Sequence, residues 1–163
     1  MSVQFSPSVI NALQDASGSL KILATASLCG TPHIRLARYC PLDEEGNILY
    51  AEAFQSTQTN HDLEAGLLFS LEATIYVLVS ERQMWQIVGT PVKKLVCGPV
   101  FRHFYDIARA EGGSGDIAAV WVIQPRSISD ESWEARRRQV IAKQPFRQHL
   151  DQVLVAEESK PAS

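Results

Sequence analysis

Three of the joins between β-type runs in this chain are too short to carry a crossover, and that limits how its sheet can be wound. "LKILATAS" (20–27) passes through "CGTP" (29–32) into a second run at 33–42. "DEEGN" (43–47) leads to "ILYAEAF" (48–54), and "SERQ" (80–83) divides apolar runs at 67–80 and 84–96. Parallel neighbours need a connection of a dozen or more residues, whereas antiparallel ones need only a turn. The sequence therefore predicts a mostly antiparallel sheet, with the first two runs as a hairpin and the third following in meander order. Gly89 and Pro91 inside the fifth run mark a bulge or bend, because proline gives no N–H to the ladder.

Helices are inserted among these strands. Ser6-Pro7 is a helix start, with Val9, Ile10 and Leu13 as an apolar face and Gly18 as a stop, predicting a helix over 7–16. A second is predicted over 57–65, where Thr59 and Asp62 have capping-box spacing and Gly66 stands at the left-handed terminal position. "GPVFRHFYDIARA" (98–110) spaces Val100, Phe101, Phe104, Ile107 and Ala108 helically. "EGGSGD" (111–116) reads as a loop, "IAAVWVIQP" (117–125) as a strand ended by proline, and the remainder as a helical tail broken near Pro145. There is no internal repeat. The pattern predicts an α+β fold, a mostly antiparallel closed β-barrel with flanking helices, as one domain over 1–163 with a C-terminal helical extension from about 129.

Composition narrows the function. A chain of 163 residues with 45% hydrophobic and 20% charged residues has enough apolar material for one core. Its formal charge is −3, and the basic residues are dispersed apart from Arg136–Arg138, so no stripe tracks a phosphate backbone and nucleic acid is not an expected partner. Cys29, Cys40 and Cys97 are odd in number and lack ligand spacing, which fits a reducing cytoplasm. The four histidines (33, 61, 103 and 149) are scattered, so no metal site is assigned. No leader pattern or run of about 18 apolar residues points to a membrane.

The order of motifs resembles a known family. The hairpin with "GTPHIRLARY", the acidic-glycine turn, "ILYAEA", a Ser/Thr-rich helix start, two long strands with "WQIVGTPVKKL", a helix and "AAVWVIQPRSIS" are similar to the FMN-binding split barrels related to pyridoxamine 5'-phosphate oxidase, over residues 7 to about 128. The resemblance implies a homodimer with FMN at the subunit interface. It implies that Arg35 anchors the phosphate, that Leu36 and Ala37 offer backbone near the ring, and that Tyr50-Ala51 end the third strand beside the cofactor. Ser56, Thr57, Gln58 and Thr59 then fall on the phosphate loop, where the N–H groups of a helix start suit an anion. Where those oxidases carry an Arg-Lys pair, this chain has Thr57-Gln58 or Gln58-Thr59. Gln86 is the expected amide donor to the flavin edge.

Each of these residues also has a plainer reading. Arg35 on a strand packs its stem and wets its head in most proteins, and "STQTN" is in isolation an ordinary capped helix start. Cys97 precedes a helix N-terminus but has no histidine assigned to it. Two functional classes stay open at this point. One is an FMN-dependent oxidoreductase or flavin reductase acting on an unidentified small molecule. The other is a non-catalytic dimeric module that stores or senses flavin or haem.

Overall fold

The computed structural model describes residues 3–80, 82–110 and 116–143. Helix α1 (Pro7–Gln14) is followed by strands β1 (Leu20–Ala26), β2 (Pro32–Ala37) and β3 (Ile48–Glu52). Then come α2 (Gln58–Phe69), β4 (Ala73–Ser80), β5 (Gln83–Leu95), α3 (Pro99–Ala110), β6 (Ala119–Asp130) and α4 (Trp133–Lys143). All six strands lie in one antiparallel sheet of order β2-β1-β4-β5-β6-β3. The predicted loop at 111–116, apart from its last residue, and the tail beyond Lys143 with its break near Pro145 lie outside the described residues.

The sheet curls but does not close, which corrects the expected closed barrel. β2 and β3 are its two edges, and no ladder joins them. Side chains fill that gap instead: Ala37, Cys40 and Tyr50 belong to one buried cluster, and Arg35 reaches Glu52 across it. β3 therefore does not continue a meander from β2. It pairs with β6, from Ile48 opposite Ile123 to Glu52 opposite Ala119.

Strand parity sets what the concave face buries. Lys21, Leu23 and Thr25 on β1 and Ala73, Ile75 and Val77 on β4 point inward, against Val9 and Leu13 of α1 and Leu63 of α2, with Trp121 and Ile123 completing the core. A second cluster, Leu49, Val120 and Val122 with Phe104 and Ile117, seats α3 on the outer face at the β6–β3 end. Over β2, β1 and β4 that outer face carries Ile34, Leu36, Leu20 and Leu78, with Ile34 74% and Leu36 66% exposed.

Helix α2 departs most from its sequence reading. Its N-cap is Thr57, whose Oγ1 accepts from the Asn60 N–H at 3.1 Å, so the Thr59/Asp62 spacing is not the cap. Nor does the helix stop at Gly66. It runs to Phe69 and ends on Ser70 in the left-handed region (φ 57), so β4 begins at Ala73 instead of 67. Gly66 is there for a different reason: a Cβ would stand 2.6 Å from Pro91 Cγ of β5. The expected bend near Gly89 is a register shift where Gly89 faces Pro125, and β6 continues past that proline to Asp130.

Candidate functional site

β2 ends at Ala37, and the chain turns away at Arg38 and Tyr39, leaving a cleft of about 290 Å³ between this edge, β3 and α3. Its walls are Leu36, Ala37, Tyr50 and Ala51, with Phe104 and Ala108 of α3 opposite; Arg35 and Arg38 also line it. Five sequence-predicted site residues (Arg35, Leu36, Ala37, Tyr50 and Ala51) thus meet at one place, although 15 positions separate Arg35 from Tyr50. They meet because β2 and β3 are the two free edges of one curled sheet. An edge strand also keeps a row of N–H and C=O groups unpaired on its open side.

The electrostatics behind the wall were not anticipated from sequence. Glu52 is fully buried and its carboxylate gathers several donors. Tyr50 Oη donates to Oε2 at 3.1 Å, the Ala53 and Phe54 N–H groups donate to Oε1 at 3.0 and 3.4 Å, and the Arg35 guanidinium lies 3.5 Å from Oε1. Burial, reinforced by the Glu52 charge, pushes the Tyr50 phenol well above its ordinary value, so it stays a donor. Arg35 is therefore paired with a buried carboxylate while part of its side chain stays open to the cleft. The signal for this in the sequence is parity: Glu52 shares its strand face with Ile48 and Tyr50, both of which are core residues.

The 56–59 segment lies at the start of α2, outside the lining of the cleft. Ser56 is exposed, Thr57 caps the helix, and Thr59 is buried. Gln58 Nε2 donates to Asp62 Oδ1 at 2.9 Å. The other oxygen of buried Asp62 accepts from Thr25 Oγ1 at 2.8 Å and lies 3.0 Å from His33 Nδ1. This cluster ties β1, β2 and α2 together. His33 thereby has a structural partner 29 residues away that no local spacing could reveal. Gln86 is on the outer face of the sheet, opposite Tyr76 and Ser129, and does not reach the cleft of its own chain.

The cysteines divide by environment. Cys29, exposed at the β1–β2 turn, is held down to about 7 by hydrogen bonds from the Ser27 and Thr31 side chains, whereas burial pushes Cys40 up to about 12. Among the described residues no group of three or more His, Cys, Asp or Glu is arranged to hold a metal ion, and no helix is long and apolar enough to cross a membrane.

No family model matches this sequence, and no curated protein matches it. Solved structures do resemble it. HupZ of Group A Streptococcus is 19% identical, with 80% of this chain and 96% of that one covered and a TM-score of 0.65. An FMN-binding protein from Syntrophomonas wolfei subsp. wolfei is 16% identical over 77% of this chain and 82% of that one, with a TM-score of 0.57. A candidate pyridoxamine 5'-phosphate oxidase from Lactobacillus delbrueckii is 10% identical over 77% and 93%, with a TM-score of 0.55. At such identities the likeness is one of fold. The chain has the split-barrel architecture of the proteins related to pyridoxamine 5'-phosphate oxidase.

Proposed function

We propose that this chain binds a flavin in the cleft between β2, β3 and α3, as a homodimer, and serves as a flavin-dependent oxidoreductase or flavin reductase. The observation that carries the reading is the convergence of Arg35, Leu36, Ala37, Tyr50 and Ala51 on one largely apolar wall at an unpaired strand edge. A flat heteroaromatic ring suits such a wall: its faces pack on Leu36, Ala51 and Phe104, and its polar rim takes hydrogen bonds from the free backbone of β2. The volume, about 290 Å³, is at the lower end of the range for small-molecule sites, which fits a ring system better than a whole dinucleotide.

FMN is the flavin that the split-barrel resemblance implies, and the FMN-binding neighbour supports a flavin-type cofactor. The ring end of the site fits it. At the phosphate end, Arg35 is engaged by Glu52 and the side chains at 57 and 58 are engaged within α2. Bound flavin supplies hydride exchange with a donor or small-molecule substrate; the chain's own residues orient the ring, exclude water from one face and hold the Tyr50 proton in place.

Exposed Ile34 and Leu36 support pairing through the outer face of the sheet, where Gln86 also lies; in a dimer joined there, Gln86 serves the partner's flavin. The test is titration of riboflavin and of FMN by fluorescence quenching, with wild type and an Ala108→Trp variant that fills the cleft from α3. Saturable quenching in wild type, lost in the variant, supports the site, and bleaching of the bound flavin by NADH or NADPH selects the reductase over a storage role. No quenching by either flavin at 100 µM protein contradicts the proposal.

A further inference from the structure

We infer that Glu52 is a specificity determinant of this cleft, one that selects a flavin with an uncharged side chain over its phosphate ester. The inference rests on the flavin reading above and deepens it by naming the ligand class. Its basis is the placement of one carboxylate. Glu52 has no exposed surface, yet it lies directly behind the wall formed by Tyr50 and Ala51 and is 3.5 Å from the guanidinium of Arg35, the cation that the split-barrel resemblance assigns to a phosphate.

A phosphate brought to Arg35 meets two obstacles. It must share a guanidinium that is already paired, and it must sit near a buried carboxylate that water screens poorly, where like charges a few ångströms apart repel strongly. Glu52 cannot swing aside to relieve this. Tyr50 Oη and the N–H groups of Ala53 and Phe54 fix both of its oxygens from the protein side. The neighbouring helix start offers no compensating cation, since Thr57 is spent on the cap and Gln58 on Asp62. A neutral polyol meets none of this opposition. Its hydroxyls can accept from Arg35, whose side chain is 37% exposed.

The test compares FMN with riboflavin by fluorescence titration in wild type, Glu52→Gln and Glu52→Ala. Gln keeps the shape of residue 52: its Oε1 can accept from the Ala53 and Phe54 N–H groups while its amide N–H donates to Tyr50 Oη, and the charge opposite Arg35 is removed. The expected result has three parts. Wild type binds riboflavin at least as tightly as FMN; Glu52→Gln tightens FMN tenfold or more and leaves riboflavin within twofold; Glu52→Ala shifts the FMN-to-riboflavin ratio in the same direction. Circular dichroism checks that each variant folds. If Glu52→Gln does not, the Glu52→Ala arm still decides: an FMN-to-riboflavin ratio unchanged from wild type overturns the inference. Binding of both flavins with a ratio that Glu52→Gln does not move overturns the inference about Glu52 while leaving the flavin site standing. Binding of neither flavin to any form overturns both.

Discussion

Lys21 is the most instructive single residue outside the cleft, because a lysine on an inward strand face ought to be costly. It is fully buried, and its ammonium answers the carbonyls that close α1: it donates to Ala12 O at 3.2 Å, to Ser19 Oγ at 2.7 Å and to Asp15 O. Those carbonyls are among the unsatisfied acceptors that every helix end leaves, so the lysine acts as a C-cap delivered from the neighbouring strand. Lys21→Met keeps the length and removes the donors. It should cost about 1–3 kcal/mol, read as a lower urea midpoint, the usual penalty for stranding buried acceptors. The sign of its pH effect follows from burial, which lowers the Lys21 pKa below 10.5. Between the folded value and 10.5 the unfolded chain holds more protons, so this residue makes stability rise with pH there, and the Met variant should lose that rise. From sequence the alternation of "LKILATAS" fixes the parity of Lys21, but its partners come from a helix that periodicity alone cannot dock. Glu52 is the same case at the site: its parity is legible in "ILYAEAF", while its pairing with Arg35 depends on two sheet edges meeting.

At the scale of elements, the helices carry the largest differences between pattern and structure, and α2 shows why. Gly66 has the composition of a helix terminator, yet it sits in mid-helix because α2 crosses β5 at Pro91, where no Cβ can fit. A tertiary close approach and a left-handed terminus ask for the same residue, and local sequence does not distinguish them. Gly66→Ala is accordingly expected to destabilise by about 1–3 kcal/mol through overpacking against Pro91, outweighing the roughly 1 kcal/mol by which alanine favours a helix interior. Thermal unfolding of the variant decides the sign; a raised midpoint would mean that α2 can move off β5 without loss. Short connectors, by contrast, were enough to predict antiparallel pairing. They could not say which strands pair, and β3 lies at the opposite edge from β2 because its partner, β6, comes nearly 70 residues later.

For the whole molecule, the open curl of the sheet creates both the candidate site and an unpaired surface. The two edges give the cleft its walls, and the outer face over β2, β1 and β4 is left with Ile34, Leu36 and Leu20 exposed. A contiguous apolar sheet face of this kind marks an association surface. Light scattering at micromolar concentration should therefore report twice the 18.1 kDa chain mass, and Ile34→Lys with Leu36→Lys should return the monomer. A wild type that stays monomeric would remove both the dimer and the role of Gln86 in a partner's cleft. Arg35 to Ala37 and Tyr50-Ala51, singled out by the split-barrel resemblance, do line one cleft. The 56–59 segment stands outside that lining, with Thr57 and Gln58 engaged within α2. The central claim is that a flavin ring is seated on the free edge of β2, and hydrogen–deuterium exchange with and without saturating riboflavin tests it most directly. Binding should slow exchange of amides within 35–39 and 50–53 and leave the α1 amides unchanged, whereas protection confined to other segments, or none at all under saturating ligand, would contradict it.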